Sequence, residues 1–513
     1  MNVKDLVVGN FYVYSLRGVC QFARKDYING DLYYLFYFKN KRKCYAREID
    51  IESKYYFYAS ADKEVTLSNF DNKKSWQKKK DKTIEEIRQT AEKLVKLSIE
   101  RKSLKGYKYN IDNMLEEFTN LLPFELSEDQ ISTITEINND LNSEKIANRM
   151  IYGGCGAGKT TILQYCLFVG FKNNFQGILL CPSTILAEQH YNGLKELFKD
   201  YNINIGLLTS KVTPKNKQKM YDDIANGDIS VIIGTTSICK KLQYKNLNTL
   251  LIDEPQKFGV AAKTYIKELQ SNVNTFQATG TPLPRDFLEI EAGIMDISKI
   301  MTYPKGKKPI ITNIINNDSN NIKDIINFEL QRKGKIYFVY NNVGELENTK
   351  NKLLNLIPEL KICIIHGKMN KKEITKIIED FKKDKYNLMI ATSIIETGVN
   401  IDANTIIIYE PDVWGLSSLH QVRNRVARFG QQGYCYLIKS NNMNPTAIKR
   451  LTTICKYNQL GQDILIAEED RKIRGDGNLF GEEQHGRIPS IGYAMYQELL
   501  SEEIQKQKEL IAN

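Results

Sequence analysis

The chain has 513 residues, of which 42% are hydrophobic and 26% charged. That fits about three globular domains and excludes a disordered chain. No apolar run approaches ~18 residues, so no transmembrane helix is expected, and the opening residues lack the basic-then-apolar order of a secretory signal. Nine scattered cysteines without a Cys-x-x-Cys pair read as reduced thiols in a cytoplasmic protein, with neither a disulfide framework nor a zinc site, and the net charge of +11 is modest.

Residues 1–60 read as a small barrel-like β domain. Phe11–Tyr14, Gly18–Arg24, Leu32–Phe38 and Lys43–Arg47 are rich in Tyr, Phe and Val, and Asn29-Gly30 is a tight-hairpin pair. Residues 61–120 read as a basic linker with a helix over 75–105, its apolar stripe formed by Ile84, Ile87, Ala91, Leu94, Val95 and Ile99. Between 73 and 108 there are 13 Lys/Arg and 5 Asp/Glu, either a stripe attractive to nucleic acid or a solvated helix face. Over 121–303, apolar runs such as Gly177–Cys181, Ser230–Gly234 and Thr249–Asp253 alternate with helical patterns. The alternation restarts over 304–455 with Lys335–Tyr340, Lys361–Ile365, Asn387–Ala391, Thr405–Tyr409 and Tyr434–Ile438. Such runs suit strands buried in parallel sheets, so the expected fold class is α/β with two tandem lobes. Residues 456–513 are Gly- and charge-rich and close in a helix.

Three stretches carry chemistry. Gly153-Gly154-Cys155-Gly156-Ala157-Gly158-Lys159-Thr160 follows an apolar strand and precedes a helical run starting at Thr161. Glycines let the backbone turn its N–H groups toward phosphate oxygens at a helix N-terminus. Lys159 then suits the β- and γ-phosphates of ATP, and the Thr160 hydroxyl suits Mg²⁺. Leu250-Leu251-Ile252-Asp253-Glu254 ends in two carboxylates, Asp253 for the Mg²⁺ shell and Glu254 for the base that orients a water. The segment Gln421 to Arg428 holds Arg423, Arg425 and Arg428, three of only 16 arginines beside 56 lysines. In a lysine-preferring chain this points to bidentate phosphate contacts, with Arg425 and Arg428 as fingers reaching from the second lobe.

In this order the motifs resemble those of superfamily 2 DNA translocases, above all bacterial transcription-repair coupling factor, with the fork-remodelling helicase RecG second. The segment Leu122–Gln130 resembles the family's adenine entry, which implies base contacts by Gln130 and Phe124. Cys181 to His190, including Thr184, is similar to motif Ia, and Gly234-Thr235-Thr236 to motif Ib. Asp253 to Gly259 resembles D-E-x-Q/H-R-F-G, Thr279 to Arg285 resembles T-A-T-P-I-P-R, and Ala391-Thr392 through Gly398 resembles motif V. Leu419 to Arg428 is similar to L-H-Q-L-R-G-R-V-G-R, which implies roles for Gln421, Arg425 and Arg428. Asp470 to Gly486 looks like the family's translocation hairpin, with Arg471, Arg474 and Gln484 at its working positions, and residues 5–58 resemble its RNA polymerase-interacting domain.

The resemblance implies two RecA-like lobes, an N-terminal β barrel-like domain and a C-terminal helical hairpin. It further implies an ATP- and Mg²⁺-dependent monomer that moves on double-stranded DNA without reading sequence, holds phosphates with Thr184, Thr235, Thr236 and Thr392, and pushes on RNA polymerase. The family's repair-recruiting and repressing modules are not matched, so excision-repair recruitment is not expected. Remodelling of forked DNA without polymerase, and a polymerase-binding adaptor with an inactive motor, are the alternatives. Asn424 and Ala427 replace family glycines, Asn400 an acidic residue and Gly280 an alanine, while Pro255 enters the Asp-Glu turn.

Overall fold

The computed structural model describes residues 1, 3–59, 61, 64–238, 242–270, 273–280, 284–303, 306–392, 403–426, 431–440, 443–463, 465–466, 469–470 and 491–512. It divides into two compact units. One comprises Met1–Lys102, Leu283–Met295 and Glu468–Asn513, the other Ser103–Pro282 and Asp296–Ala467. Among the described residues, no helix is long and apolar enough to cross a membrane.

The first unit is built on an antiparallel sheet of β1 (Phe11–Tyr14), β2 (Gly18–Ile28), β3 (Asp31–Tyr37), β4 (Lys43–Ala46) and β5 (Tyr55–Ala59), in the order β4-β3-β2-β1-β5. Asn29 and Gly30 both take positive φ (+53° and +91°), as a two-residue turn matched to strand twist requires. The end strands β4 and β5 do not pair with each other, so the sheet is open where the sequence suggested a barrel. Successive side chains go to opposite faces. Tyr12 and Phe36 join one core with Phe22, Tyr34 and Tyr55. Phe11 and Val13 join another, with Trp76, Ile87, Ala91 and Val95 of helix Lys73–Ser103, Leu288 of helix Pro284–Ala292, and Met495, Leu500 and Ile504 of helix Tyr493–Ala512. The buried face of the long helix departs from the expected stripe: Ile84 and Ile99 are exposed, while Thr83 and Ser98 are buried. Both hydroxyls are satisfied, Thr83 donating to Lys79 O at 3.0 Å and Ser98 to Gly293 O at 2.9 Å, so burying them carries little desolvation penalty.

The second unit holds two parallel sheets. The first contains β6 (Asn148–Gly153), β7 (Gln176–Leu180), β8 (Ile205–Leu208), β9 (Val231–Gly234), β10 (Leu247–Asp253), β11 (Asn274–Thr279) and β12 (Asp296–Ile300), ordered β12-β6-β11-β10-β7-β9-β8. The second contains β13 (Ile311–Asn316), β14 (Ile336–Val339), β15 (Ile362–Ile365), β16 (Leu388–Ala391), β17 (Thr405–Tyr409) and β18 (Tyr434–Lys439), ordered β13-β18-β17-β14-β16-β15. Helices cover the sheet faces, which is why β6, β7, β9, β14 and β16 are buried along their whole length. Register sets the site. Tyr152 pairs with Thr279, Ala278 with Asp253, and Ile252 with Leu180, so β6, β11, β10 and β7 end side by side at their carboxyl edge, where open α/β sheets bind ligands. Arg149 of β6 clamps helix Glu128–Leu141 to this sheet. Its guanidinium meets Asp140 at 2.6 and 3.0 Å, Glu136 at 2.9 Å and the Ser298 hydroxyl of β12 at 3.0 Å.

Candidate active site

The loop after β6 turns through positive φ at Gly156 (+78°) and Gly158 (+89°), conformations that favour glycine. Helix Lys159–Lys172 starts immediately after it. The Lys159 ammonium lies across the loop, donating to the carbonyls of Gly153 (2.6 Å) and Gly154 (3.0 Å). Cys155 and Gly156 lie on its outer side, Ala157 is buried, Thr160 is exposed and Thr161 is buried.

Gln130 braces this loop. Ser127 caps helix Glu128–Leu141, and the Ser127 N–H donates to Gln130 Oε1 (2.8 Å) in a capping box. Gln130 Nε2 donates to Ala157 O at 2.9 Å. Its side chain, 1% exposed, therefore has both polar ends engaged by protein, not turned outward toward a base. Phe124 is 49% exposed beside it in sequence and has a free ring face to offer.

At the end of β10 the Asp253 carboxylate faces buried His190 of helix Thr184–Leu197, with Oδ2 3.3 Å from Nε2. Glu254 follows in the left-handed region (φ +52°), its N–H donating to Ala278 O at 2.8 Å. This strained turn swings the Glu254 side chain away from the strand line, where Gln256 Nε2 donates to it. Thr279 in turn donates to Gln256 Oε1 at 3.3 Å. Gly280 marks where the pieces meet. A Cβ there would lie 3.5 Å from Gly153 O, 3.6 Å from Lys159 Nζ and 3.9 Å from Glu254 Oε1. Loop, carboxylate pair and third motif thus converge on one point, as the reading of the sequence required.

The second sheet meets this site through helix Leu416–Arg423. The Asn424 carbonyl lies 3.6 Å from Cys155 Sγ. Of the three clustered arginines, Arg423 has a different task from phosphate binding. It is buried, donating to Ile454 O (2.7 Å), Tyr457 O (3.1 Å) and His420 Nδ1 (2.9 Å). Arg425 is partly buried, and its charge is felt by the buried Tyr337 hydroxyl of β14. Gln421 lies on the same helix, partly buried, and Arg428 and Ala427 lie outside the described residues.

A guanidinium only donates, so His420 Nδ1 must accept, and the ring is neutral with its proton on Nε2, directed at Asp463. Burial first, then the nearby Arg423 and Lys307 charges, hold the His420 pKa below its ordinary value. Burial alone would raise the Asp463 carboxyl, but hydrogen bonds from His420 and Tyr303 with the Arg423 charge reverse this and keep it ionised well below the usual range. Tyr303 donates to Asp463, and Lys307 Nζ donates to Cys155 O. Asp463 and Lys307 carried no signal in the sequence: one carboxylate among 61 acidic residues, one lysine in a lysine-rich chain.

The residues expected to hold DNA sit at the same carboxyl edges. Thr184 opens helix Thr184–Leu197 after β7, Thr235 and exposed Thr236 follow β9, and Thr392 follows β16, where it is buried. Arg471, Arg474 and Gln484, like Glu396, Gly398 and Asn400, lie outside the described residues.

Residues 127–287 match the DEAD/DEAH box helicase family, and residues 318–430 match the helicase conserved C-terminal domain. The chain is 34% identical over 519 residues to the transcription-repair-coupling factor of Bacillus subtilis (strain 168), covering 98% of this chain and 44% of that protein. It is 33% identical over 517 residues to the one of Haemophilus influenzae, with 99% and 45% coverage. The chain thus spans less than half the length of these relatives. A structure of RecG bound to a three-way DNA junction superimposes with a TM-score of 0.64 at 22% identity, covering 98% of this chain and 79% of that one, which shows a shared fold. With one helicase domain in each parallel-sheet lobe and this similarity along nearly its whole length, the chain belongs to superfamily 2 of the helicases and translocases, as a relative of the transcription-repair coupling factors.

Proposed function

We propose that this chain is an ATP-driven translocase on double-stranded DNA that engages RNA polymerase and pushes or displaces it. The observation that carries the motor is the convergence of Lys159, Glu254 and Gly153 on Gly280, with Asn424 of the second lobe against Cys155. Lys159 exchanges the Gly153 and Gly154 carbonyls for the β- and γ-phosphates, a charged acceptor for two neutral ones. Thr160 and Asp253 are oxygen donors of the kind Mg²⁺ prefers. Among the described residues no group of three or more His, Cys, Asp or Glu could hold a metal, which suits an ion whose other ligands are phosphate and water. When bound, that ion bridges β- and γ-phosphate oxygens and offsets their charge. Glu254 orients the attacking water, and its contact with Gln256, itself held by Thr279, links the carboxylate to the third motif. Gln421, Arg425 and Arg428 complete the site from the second lobe.

Thr184, Thr235, Thr236 and Thr392 contact DNA phosphates, so binding is insensitive to sequence and sensitive to salt. Arg471, Arg474 and Gln484 turn lobe movement into a step. We assign polymerase contact to residues 1–60, a relay segment to 61–120, the ATP-binding lobe to 121–303, the second lobe to 304–455 and the translocation hairpin to 456–513. Among the described strands β4 pairs only with β3, and its other edge suits addition of a partner strand.

The test is displacement of a stalled transcription elongation complex by purified protein, with and without ATP, beside DNA-stimulated ATP hydrolysis. ATP-dependent displacement lost in Lys159→Ala supports the proposal. Equal hydrolysis by wild type and Lys159→Ala removes the motor. Hydrolysis and fork regression without polymerase binding removes the polymerase half.

A further inference from the structure

The phosphate loop has a second lysine. Lys307 lies in the connection between β12 and β13, which is anchored at its start by Asp129, whose Oδ2 accepts the N–H groups of Met301 and Thr302 at 2.7 Å. Its ammonium donates to Cys155 O, and a Cβ built on Gly156 would stand only 2.5 Å from Nζ. The charge therefore rests on the outer curve of the loop, at the residues whose backbone must face phosphate if the loop works as its glycines indicate. The same ammonium lies 4.5 Å from the Tyr303 ring centroid, a cation–π distance. Tyr303 is held in turn, because its hydroxyl donates to Asp463, which also faces His420. Cys155, Tyr303, Lys307, Arg423, Asn424 and Asp463 line one small cleft.

Lys307 now meets a carbonyl dipole and an aromatic face, both weaker partners for an ammonium than a phosphate oxygen. The four charges of a nucleoside triphosphate's phosphate chain exceed what Lys159 alone offsets on this side of the site. We propose that Lys307 is a nucleotide-binding residue that contacts the phosphate chain, supplied by the segment joining the two lobes and aimed by Tyr303. This rests on the ATP reading above and extends it. The β12–β13 connection runs directly between the two sheets, so a contact from it places nucleotide occupancy and lobe connection on one side chain.

Full-length wild type, Lys307→Ala and Lys307→Arg are titrated with a fluorescent non-hydrolysable ATP analogue at two salt concentrations, and with adenosine by calorimetry. Thermal melting without nucleotide reports folding. The expected result is about tenfold weaker analogue binding by Lys307→Ala, with a shallower salt dependence, unchanged adenosine binding and an unchanged melting temperature. Lys307→Arg restores most of the affinity. If wild type binds the analogue and Lys307→Ala binds it equally well, this inference is wrong while the ATP reading stands. If Lys307→Arg is as weak as Lys307→Ala, or adenosine binding falls in parallel, the lysine shapes the loop and the inference is again wrong. If wild type binds no analogue, both readings fall together.

Discussion

His190 offers the sharpest test of how the Asp253 carboxylate is aimed. It sits in the middle of helix Thr184–Leu197, is buried, and presents Nε2 3.3 Å from Asp253 Oδ2, with the Asp253 side chain itself only 15% exposed. A hydrogen bond to a charged group in such a setting contributes roughly 1.5–3 kcal/mol. If that orientation matters most when charge moves in the transition state, its loss lowers kcat by about 10- to 150-fold, at 1.36 kcal/mol per factor of ten. In His190→Ala the KM for ATP should change little, because the phosphates are gripped by the loop and not by Asp253. The Mg²⁺ concentration for half-maximal rate should rise, because a misaimed carboxylate holds the ion less well. His190→Gln, which keeps a polar tip at similar reach, should recover part of the rate. The assay is DNA-stimulated ATP hydrolysis across a Mg²⁺ titration, with thermal melting alongside. A kcat within twofold of wild type and an unshifted Mg²⁺ curve for His190→Ala would refute the reasoning.

Gly280→Ala should keep hydrolysis within about twofold and hold or raise stability by roughly 0.4–1 kcal/mol, since its Cβ meets nothing nearer than 3.5 Å. Gly154→Ala, whose Cβ would fall 1.9 Å from the Tyr303 hydroxyl and 2.2 Å from Asp463 Oδ2, should lose nucleotide binding in the same assay. Arg149→Met strands the Asp140 carboxylate, so urea unfolding should show a loss of about 3 kcal/mol, at the lower end for a broken buried pair because Glu136 is partly exposed. The double change Arg149→Met with Asp140→Leu should recover much of it. The depressed His420 pKa means that the unfolded chain binds a proton there before the folded one does. Stability is therefore fully present above the ordinary histidine pKa and is lost as pH falls below it, by at most ~1.4 kcal/mol per pH unit. Thermal melting from pH 7.5 to 5.5 should decline less steeply in His420→Gln than in wild type, and equal slopes would remove this site from the account.

What could be read without coordinates was what short-range chemistry encodes. A phosphate loop needs glycine where φ turns positive, as at Gly156 and Gly158, and a strand buried on both faces has little choice but an apolar run, as in β9, β10 and β17. The Asn29-Gly30 turn was legible for the same local reason. β11 was not, because its buried face carries Asn274 and Thr275. Asn274 Oδ1 accepts the Ala147 N–H at 2.8 Å, so a satisfied polar side chain hides the strand. The long helix was recognised, but its buried face shifted toward Thr83 and Ser98, which found carbonyl acceptors, and away from Ile84 and Ile99.

The order of motifs along the chain determined that a nucleotide site with two lobes would form, since each motif's backbone demands are met by its own few residues. Only the tertiary path decided that Gln130 would brace the loop, that Arg423 would serve packing beside the exposed chemistry of its neighbours, and that Lys307 and Asp463 would arrive at Cys155 and Gly154. Those partners lie 152 residues apart for Lys307 and Cys155, and no local pattern records a meeting that depends on how two sheets and their connection close around a loop.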